Sequence, residues 1–337
     1  MHISSRSAGI ALGVLVDAVV GDPRRGHPVA LFGRAAAALE RRLYGDARPN
    51  GVAHVAICVG AAAGLGALAS LAPARVPGGS PTRLGGSKAG PGAVRAVVEI
   101  GLTAAATWAV LGGTTLAREG VHMAEALEAK DIEAARKRLP HLCGRDPRTL
   151  EAPELARATV ESLAENTSDA VVAPLFWGAI AGVPGLLAYR AVNTLDAMVG
   201  HRSPRYERFG WAAARLDDVA NYVPARITGL LAVLAAPDRR RALRVLRRDG
   251  HRHPSPNAGR CEAAFAGALD VTLGGVNVYG SRVEHRPEMG EGPRPEVRDI
   301  RRAVRLTRTV SLAAAAIAVL APALWPRRAR RSPAPGA

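Results

Sequence analysis

The chain has 337 residues, 48% of them apolar but only 4% aromatic, and its 45 Lys and Arg against 29 Asp and Glu give a formal net charge of +16. Three widely separated cysteines, Cys58, Cys143 and Cys261, exclude a disulfide scaffold and a structural zinc site of the usual spacing. The composition excludes a disordered tail protein and a collagen-like repeat, and no basic stripe interleaved with aromatics points to nucleic acid.

Taken in chain order, the apolar stretches dominate. Residues 7–20 form a marginal one, with Asp17 inside it; no small-residue cleavage site follows, so it does not read as a signal peptide. Residues 52–72 are interrupted only by His54 and Ser70, and the Gly- and Pro-rich residues 73–92 read as a flexible loop. Residues 100–116 and 170–189 carry no charge, although Pro174 and Pro184 lie in the second. Residues 219–236, broken by Arg226, are again marginal, and residues 309–325 close the series. A membrane-spanning helix needs roughly 20 apolar residues, which predicts four spans and two marginal segments. The expected fold is all-α: a multi-pass membrane helix bundle with helical extramembrane insertions, residues 1–337 forming one membrane-embedded domain.

Two charged regions are the expected insertions. Residues 117–169 hold 11 acidic and 8 basic side chains, and residues 237–308 hold 9 acidic and 16 basic. Residues 284–295 read as a linker and 332–337 as a disordered tail. Positive-inside counting draws both the Arg-rich region and Arg327 to Arg331 to the cytoplasm, yet they flank one apolar segment, so charge alone assigns no orientation.

Polar constellations cluster where apolar runs meet loops. Glu161, Glu165 and Asp169 are spaced i, i+4, i+8 on one helix face, with Ser162 and Asn166 beside them. Three like charges repel unless a cation joins them, and hard oxygen ligands suit Mg²⁺; the plainer reading is a solvated helix face. Asn193 with Asp196, and Asp217 and Asp218 with Asn221, repeat the pattern, and ionisable groups beside apolar segments are functional candidates. Snorkelling and helix capping are the plain alternative. Arg145, Arg190, Arg215 and Arg226 offer bidentate anion binding. Gly144-Arg145-Asp146-Pro147 reads as a turn, and the Gly-rich residues 273–280 as a turn or a phosphate-binding loop. There is no P-loop, GxGxxG, HExxH or GxSxG, so nucleotide chemistry here needs a site of another kind.

These residues carry a resemblance. ESLAENTSDAVVAPLFW from Glu161, YRAVNTLDAMVGH from Tyr189 and the RLDD…NYVPAR series from Arg215 are similar to the CobD/CbiB family of membrane-bound cobalamin-biosynthesis proteins, the adenosylcobinamide-phosphate synthases. Gly21-Asp22-Pro23, His27-Pro28-Val29, Arg145-Asp146-Pro147 and Gly274 to Gly280 match in the same order, so the likeness runs from about Asp17 to Tyr279. Gly26, Ala170 and Ser281 depart from the usual pattern, which bears on local loop geometry.

The resemblance implies a cell-membrane, multi-pass ligase. It would join (R)-1-amino-2-propanol O-2-phosphate to the remaining free f-propionate carboxylate of adenosylcobyric acid, using ATP and Mg²⁺, through an acyl phosphate. Its partners would be this corrinoid, the amine, membrane lipid and other cobalamin-assembly enzymes, with no nucleic acid. The expected catalytic residues are Glu165, Asn166, Asp169, Asp217 and Asp218. Those expected to bind substrate are His27, Arg145, Asp146, Asn193, Arg215, Asn221, Arg226, Asn277 and Tyr279, and those expected to bind metal are Glu161, Glu165, Asp169 and Asp196. The alternatives are a non-catalytic membrane corrinoid carrier, with Asp17 and Arg226 lining a path, and a soluble basic nucleic-acid binder whose apolar segments are core.

Overall fold

A computed structural model describes residues 4–23, 26–75, 82–84, 87–89, 91–201, 203–279 and 282–324. The first helices are α1 (Ser5–Val20), α2 (Pro28–Leu43) and α3 (Arg48–Leu71), followed by the short strands β1 (Thr82–Leu84) and β2 (Ser87–Ala89). Next come α4 (Pro91–Val110), α5 (Gly113–Glu128), α6 (Ile132–Arg138), α7 (Ala152–Thr167), α8 (Ala173–Leu195), α9 (Trp211–Ala220) and α10 (Tyr222–Ala235). The chain continues through α11 (Arg239–Asp249), α12 (Ala258–Leu269), the antiparallel hairpin of β3 (Leu273–Tyr279) and β4 (Arg282–Met289), and α13 (Val297–Leu324). It is an all-α bundle with two small hairpins.

Four helical stretches, Arg48–Arg75, Gly92–Glu128, Ala152–Gly200 and Val297–Leu320, are long and apolar enough to cross a membrane. Leu65, Leu68 and Leu71 on α3, and Leu312, Ile317 and Leu320 on α13, are exposed, as lipid-facing side chains must be. Within the bundle, α1 and α4 approach through small residues. A Cβ on Gly9 would lie 2.5 Å from the Thr103 Cβ, and one on Gly13 would lie 2.5 Å from that of Thr107, so only glycine permits this separation. At the end of α1 the Asp17 carboxylate accepts from the backbone N–H (3.2 Å) and hydroxyl (2.9 Å) of Thr114. The carboxylate thus satisfies donors at the start of α5, and Thr114 gives Asp17 a partner at the end of its apolar helix.

Residues 170–189, expected as one span, instead fold back on themselves. Gly182 adopts φ 63°, ψ −145° in the middle of α8, a backbone region that side chains exclude. Beyond it Gly185 approaches its own preceding turn, where a Cβ would lie 2.4 Å from the Trp177 carbonyl oxygen. From residue 173 to 181 the first limb is about 14 Å long at 1.5 Å per residue, roughly half a hydrocarbon core. Arg6 donates to the Ala179 and Ile180 carbonyls, both at 3.3 Å, closing the limb's C-terminal end.

The boundary expected at residue 169 falls inside the continuous helical stretch Ala152–Gly200, and α7 is core: Leu155 through Ala164 are buried. Two loop expectations are corrected. The Gly-rich residues 273–279 are strand β3, with a register irregularity between Leu273 and Gly275, and residues 284–289 of the expected linker belong to β4, because their backbone pairs with β3 across the hairpin. Of the loop at 73–92, Ala72–Arg75 form a 3₁₀ turn ahead of β1 and β2, and 76–81, 85–86 and 90 lie outside the described residues, as do Trp325 and the tail 332–337.

Candidate active site

A cavity of about 270 Å³ opens between α7, the end of α8, α12 and β4. Its walls include Arg145, Glu161, Glu165, Asn166, Asp169, Asn193 and Asp196. Seven residues singled out from sequence thus share one space. They meet because the α8 hairpin returns the chain to its starting level. The Tyr189 hydroxyl reaches the Asp169 carbonyl at 3.2 Å and the Asn221 Oδ1 at 2.9 Å.

Two π-helical turns, Ser168–Val172 and Asp196–Gly200, mark the two limbs. Each inserts one extra residue into a helix, and each carries a cavity carboxylate in its first turn, Asp169 and Asp196 respectively. Such bulges rotate the following side chains out of the regular helical register and recur at functional sites.

One wall is cationic and fully braced. Buried Arg145 forms an ion pair with buried Glu161, whose other carboxylate oxygen accepts from Arg157 at 3.3 Å and from the Gly274 N–H at 2.7 Å. Arg157 also donates to the Gly274 carbonyl, the Asn277 Oδ1 and the Val276 carbonyl at 2.7–2.9 Å, fastening β3 onto α7. Glu161, expected as a metal ligand, is therefore corrected: two guanidiniums and an amide take up its oxygens.

The opposite wall is acidic. The carboxylates of Glu165, Asp169 and Asp196 make no hydrogen bond or ion pair among the described residues, and all three sit half-buried in the cavity lining. Behind them, the Asn221 Nδ2 donates to both carboxylate oxygens of Asp217 at 3.0 Å. Burial, reinforced by the neighbouring Asp196, pushes the Asp217 carboxyl up to about 7. Asp218 is pushed up by burial and lies 3.5 Å from the exposed Arg215.

The remaining described sequence candidates stand apart from the cavity lining. Asp146 serves the turn: it accepts from the Arg148 backbone N–H at 3.1 Å, and the Arg148 side chain holds its carboxyl down to about 2. Arg226 stacks over the Tyr222 ring at 3.3 Å and donates to the Tyr222 carbonyl. Asn277 is buried beneath Arg157. His27 caps α2 by accepting the Val29 N–H at 3.1 Å. The side chain of Tyr279 lies outside the described residues.

Sequence reasoning missed two cavity residues, Glu262 and Arg286. Glu262 carried a usable signal: it is the one acidic residue in AGRCEAAFAGAL, the buried α12, and a buried carboxylate needs a reason. Arg286 carried none, since the stretch around it reads as a loop.

Among the described residues no three His, Cys, Asp or Glu side chains stand close enough to hold an ion by themselves. The four carboxylates expected to bind metal thus do not meet as one such group among the described residues. Mg²⁺ fits such a wall in another way. It keeps several waters and binds through one or two carboxylates together with substrate phosphates, and the accepting oxygens of Asp169 and Asp196 suit that mode.

The chain matches the family model described as CobD/Cbib protein over residues 10–307. It is 54% identical to the cobalamin biosynthesis protein CobD of Mycobacterium tuberculosis (strain ATCC 25618 / H37Rv) over 320 residues, which cover 94% of this chain and 96% of that protein. It is 41% identical to the protein of the same name from Geobacter metallireducens over 301 residues, covering 87% and 89%. No solved structure matches it. With agreement of this extent, the chain belongs to the CobD/Cbib family.

Proposed function

We propose that this membrane protein acts in cobalamin biosynthesis as an ATP-dependent carbon–nitrogen ligase. It joins (R)-1-amino-2-propanol O-2-phosphate to the f-propionate carboxylate of adenosylcobyric acid and yields adenosylcobinamide phosphate at the cell membrane. The observation that carries this reading is the cavity itself, where guanidiniums face the carboxylates of Glu165, Asp169 and Asp196, which have no partner among the described residues. An anionic acid, a nucleotide and an amine each find complementary groups there, and the family's role in cobalamin biosynthesis supplies the corrinoid.

A carboxylate does not react with an amine at neutral pH until it is activated. One propionate oxygen attacks the γ-phosphorus of ATP and ADP leaves, giving an acyl phosphate. The amine nitrogen then attacks the acyl carbon, the C–O bond to phosphate breaks, and phosphate departs with the electron pair. Asp169 and Asp196 would hold Mg²⁺, which when bound would supply charge neutralisation on the transferring phosphoryl group. Arg145, fixed by Glu161, binds anionic groups of the substrates. Asp217, with its carboxyl near neutrality, is suited to take the proton released from nitrogen. Asn166 and Asn193 orient polar groups without adding charge.

The test is an assay of detergent-purified protein with adenosylcobyric acid, Mg-ATP and aminopropanol phosphate, read by product mass and ADP. One amide bond formed per ADP released supports the reading. Corrinoid binding without ADP or product overturns it in favour of a carrier.

A further inference from the structure

At the back of the cavity, Glu262 is 1% exposed. Its Oε2 is buried with no hydrogen-bond partner among the described residues, and its Oε1 lies 3.8 Å from both Arg286 Nη1 and His253 Nε2, beyond hydrogen-bond distance. An ionised carboxylate so placed would forgo both water and hydrogen bonds at a cost that native interiors rarely carry. Every element around it contributes charge. Glu161 and Glu165 come from α7, Arg145 from the preceding turn, Arg286 and Glu284 from β4, and His253 from the loop before α12. Burial beside Glu161 and Glu165 pushes the Glu262 carboxyl well above the ordinary carboxylate range. His253 is kept neutral by burial and by Arg286, and its Nδ1 already accepts the Ser255 N–H at 3.0 Å.

We propose that Glu262 and Arg286 form a pair of donors that selects the free carboxylate of the substrate, with Glu262 contributing an O–H and Arg286 its N–H groups. This inference rests on the ligase reading above. A carboxylate is acceptor-only, whereas a carboxamide presents an NH₂. A carboxylate set across the Glu262 O–H and the Arg286 N–H groups accepts from both with its two oxygens, whereas an amide placed there turns its NH₂ toward one of those donors and loses a hydrogen bond. The substrate carries one free acid, and this pair distinguishes it from side chains already amidated. Glu262 would thereby touch the acid being activated and hold it in the cavity that contains Asp169 and Asp196.

The test compares full-length wild type, Glu262→Gln and Glu262→Ala in detergent, titrated by visible absorbance with adenosylcobyric acid and with the same corrinoid methylamidated at that carboxylate. Glutamine keeps a donor beside the carbonyl acceptor that the protonated Glu262 already carries; alanine removes the donor. Loss of a buried hydrogen bond to a charged acceptor corresponds to roughly tenfold or more in affinity. Wild type is expected to bind the acid more tightly than the amide, Glu262→Ala to lose about tenfold or more for the acid, and Glu262→Gln to stay within about threefold of wild type. Equal loss in both variants, with both still folded by circular dichroism, overturns the donor role, as does an unchanged Glu262→Ala. A wild type that binds neither corrinoid overturns the ligase reading. A wild type that binds and ligates with Glu262→Ala unaffected overturns this inference alone.

Discussion

The Tyr189 hydroxyl lies 3.2 Å from the carbonyl oxygen of Asp169, although both belong to the single helical stretch Ala152–Gly200. A straight helix would hold residues twenty apart about 30 Å from each other. The contact exists because α8 reverses at Gly182, and the reversal brings the ENTSD and NTLD motifs to one cavity.

Gly182 is therefore expected to be intolerant of a side chain. Its φ of 63° with ψ −145° costs a non-glycine residue about 1–3 kcal/mol, and a Cβ would also lie 3.3 Å from the Arg6 guanidinium that closes the limb. Gly182→Val should lower the melting temperature in detergent and reduce ligation, because the same turn sets the separation of Asp169 and Asp196. Wild-type stability and turnover in this variant would show that the reversal is dispensable.

Asp169→Asn keeps the size of the side chain and removes its charge. Ligation is expected to fall by a factor of about 100 or more, as when a group stabilising a transferring phosphoryl is lost, while membrane insertion and melting temperature are retained. Turnover measured across a Mg²⁺ titration checks this. Wild-type turnover at ordinary Mg²⁺ would remove Asp169 from the site.

Much of this was legible in the sequence, for physical reasons. Uncharged runs mark spans because lipid excludes charge, and Glu161, Glu165 and Asp169 share a face because the helical period puts them there. The reversal at Gly182 was not legible, since Pro184 and a glycine inside an apolar run also suit a kinked span. Nor was the fate of Glu161, because its partners Arg145 and Gly274 are distant in sequence and meet it only through the packing of the turn and of β3. The glycines of β3 read as a loop, yet Gly274 and Gly275 take φ 89° and 98° in an irregular strand, where glycine is needed for another reason.

Glu161 provides a contrast with Asp169. Glu161→Gln removes the carboxylate that Arg145 and Arg157 share in the interior, and breaking a buried pair from one side costs about 3–5 kcal/mol. The expected result is a large loss of thermal stability. A folded, stable Glu161→Gln protein with weakened Mg²⁺ activation would instead return Glu161 to the metal site.

Cys143 offers a direct view of the cavity. It is half-buried in the lining, whereas Cys58 and Cys261 are buried in the core. Iodoacetamide is expected to modify Cys143 first, because the reagent reaches it while Cys58 and Cys261 are buried. Mg-ATP with adenosylcobyric acid should slow that modification by occupying the space. Peptide mass mapping reads both effects, and labelling rates at Cys143 that ignore both substrates would place them elsewhere.

The pH dependence of stability should show His253. Burial, with Arg286 beside it, lowers the imidazole from 6.5 to about 4 in the folded protein. Between these values the unfolded chain binds a proton that the folded one refuses, so acid favours unfolding. The stabilisation is complete above pH 6.5 and is lost as pH falls through about 4, amounting to about 3 kcal/mol at most. His253→Gln cannot titrate, so its stability curve should be flatter than wild type over this window and parallel to it above pH 7. Melting temperatures at half-unit pH steps would decide the matter. Identical slopes for both proteins between pH 4 and 6.5 would mean that His253 is free to protonate in the folded state, and that the back wall of the cavity is wetter than its burial indicates.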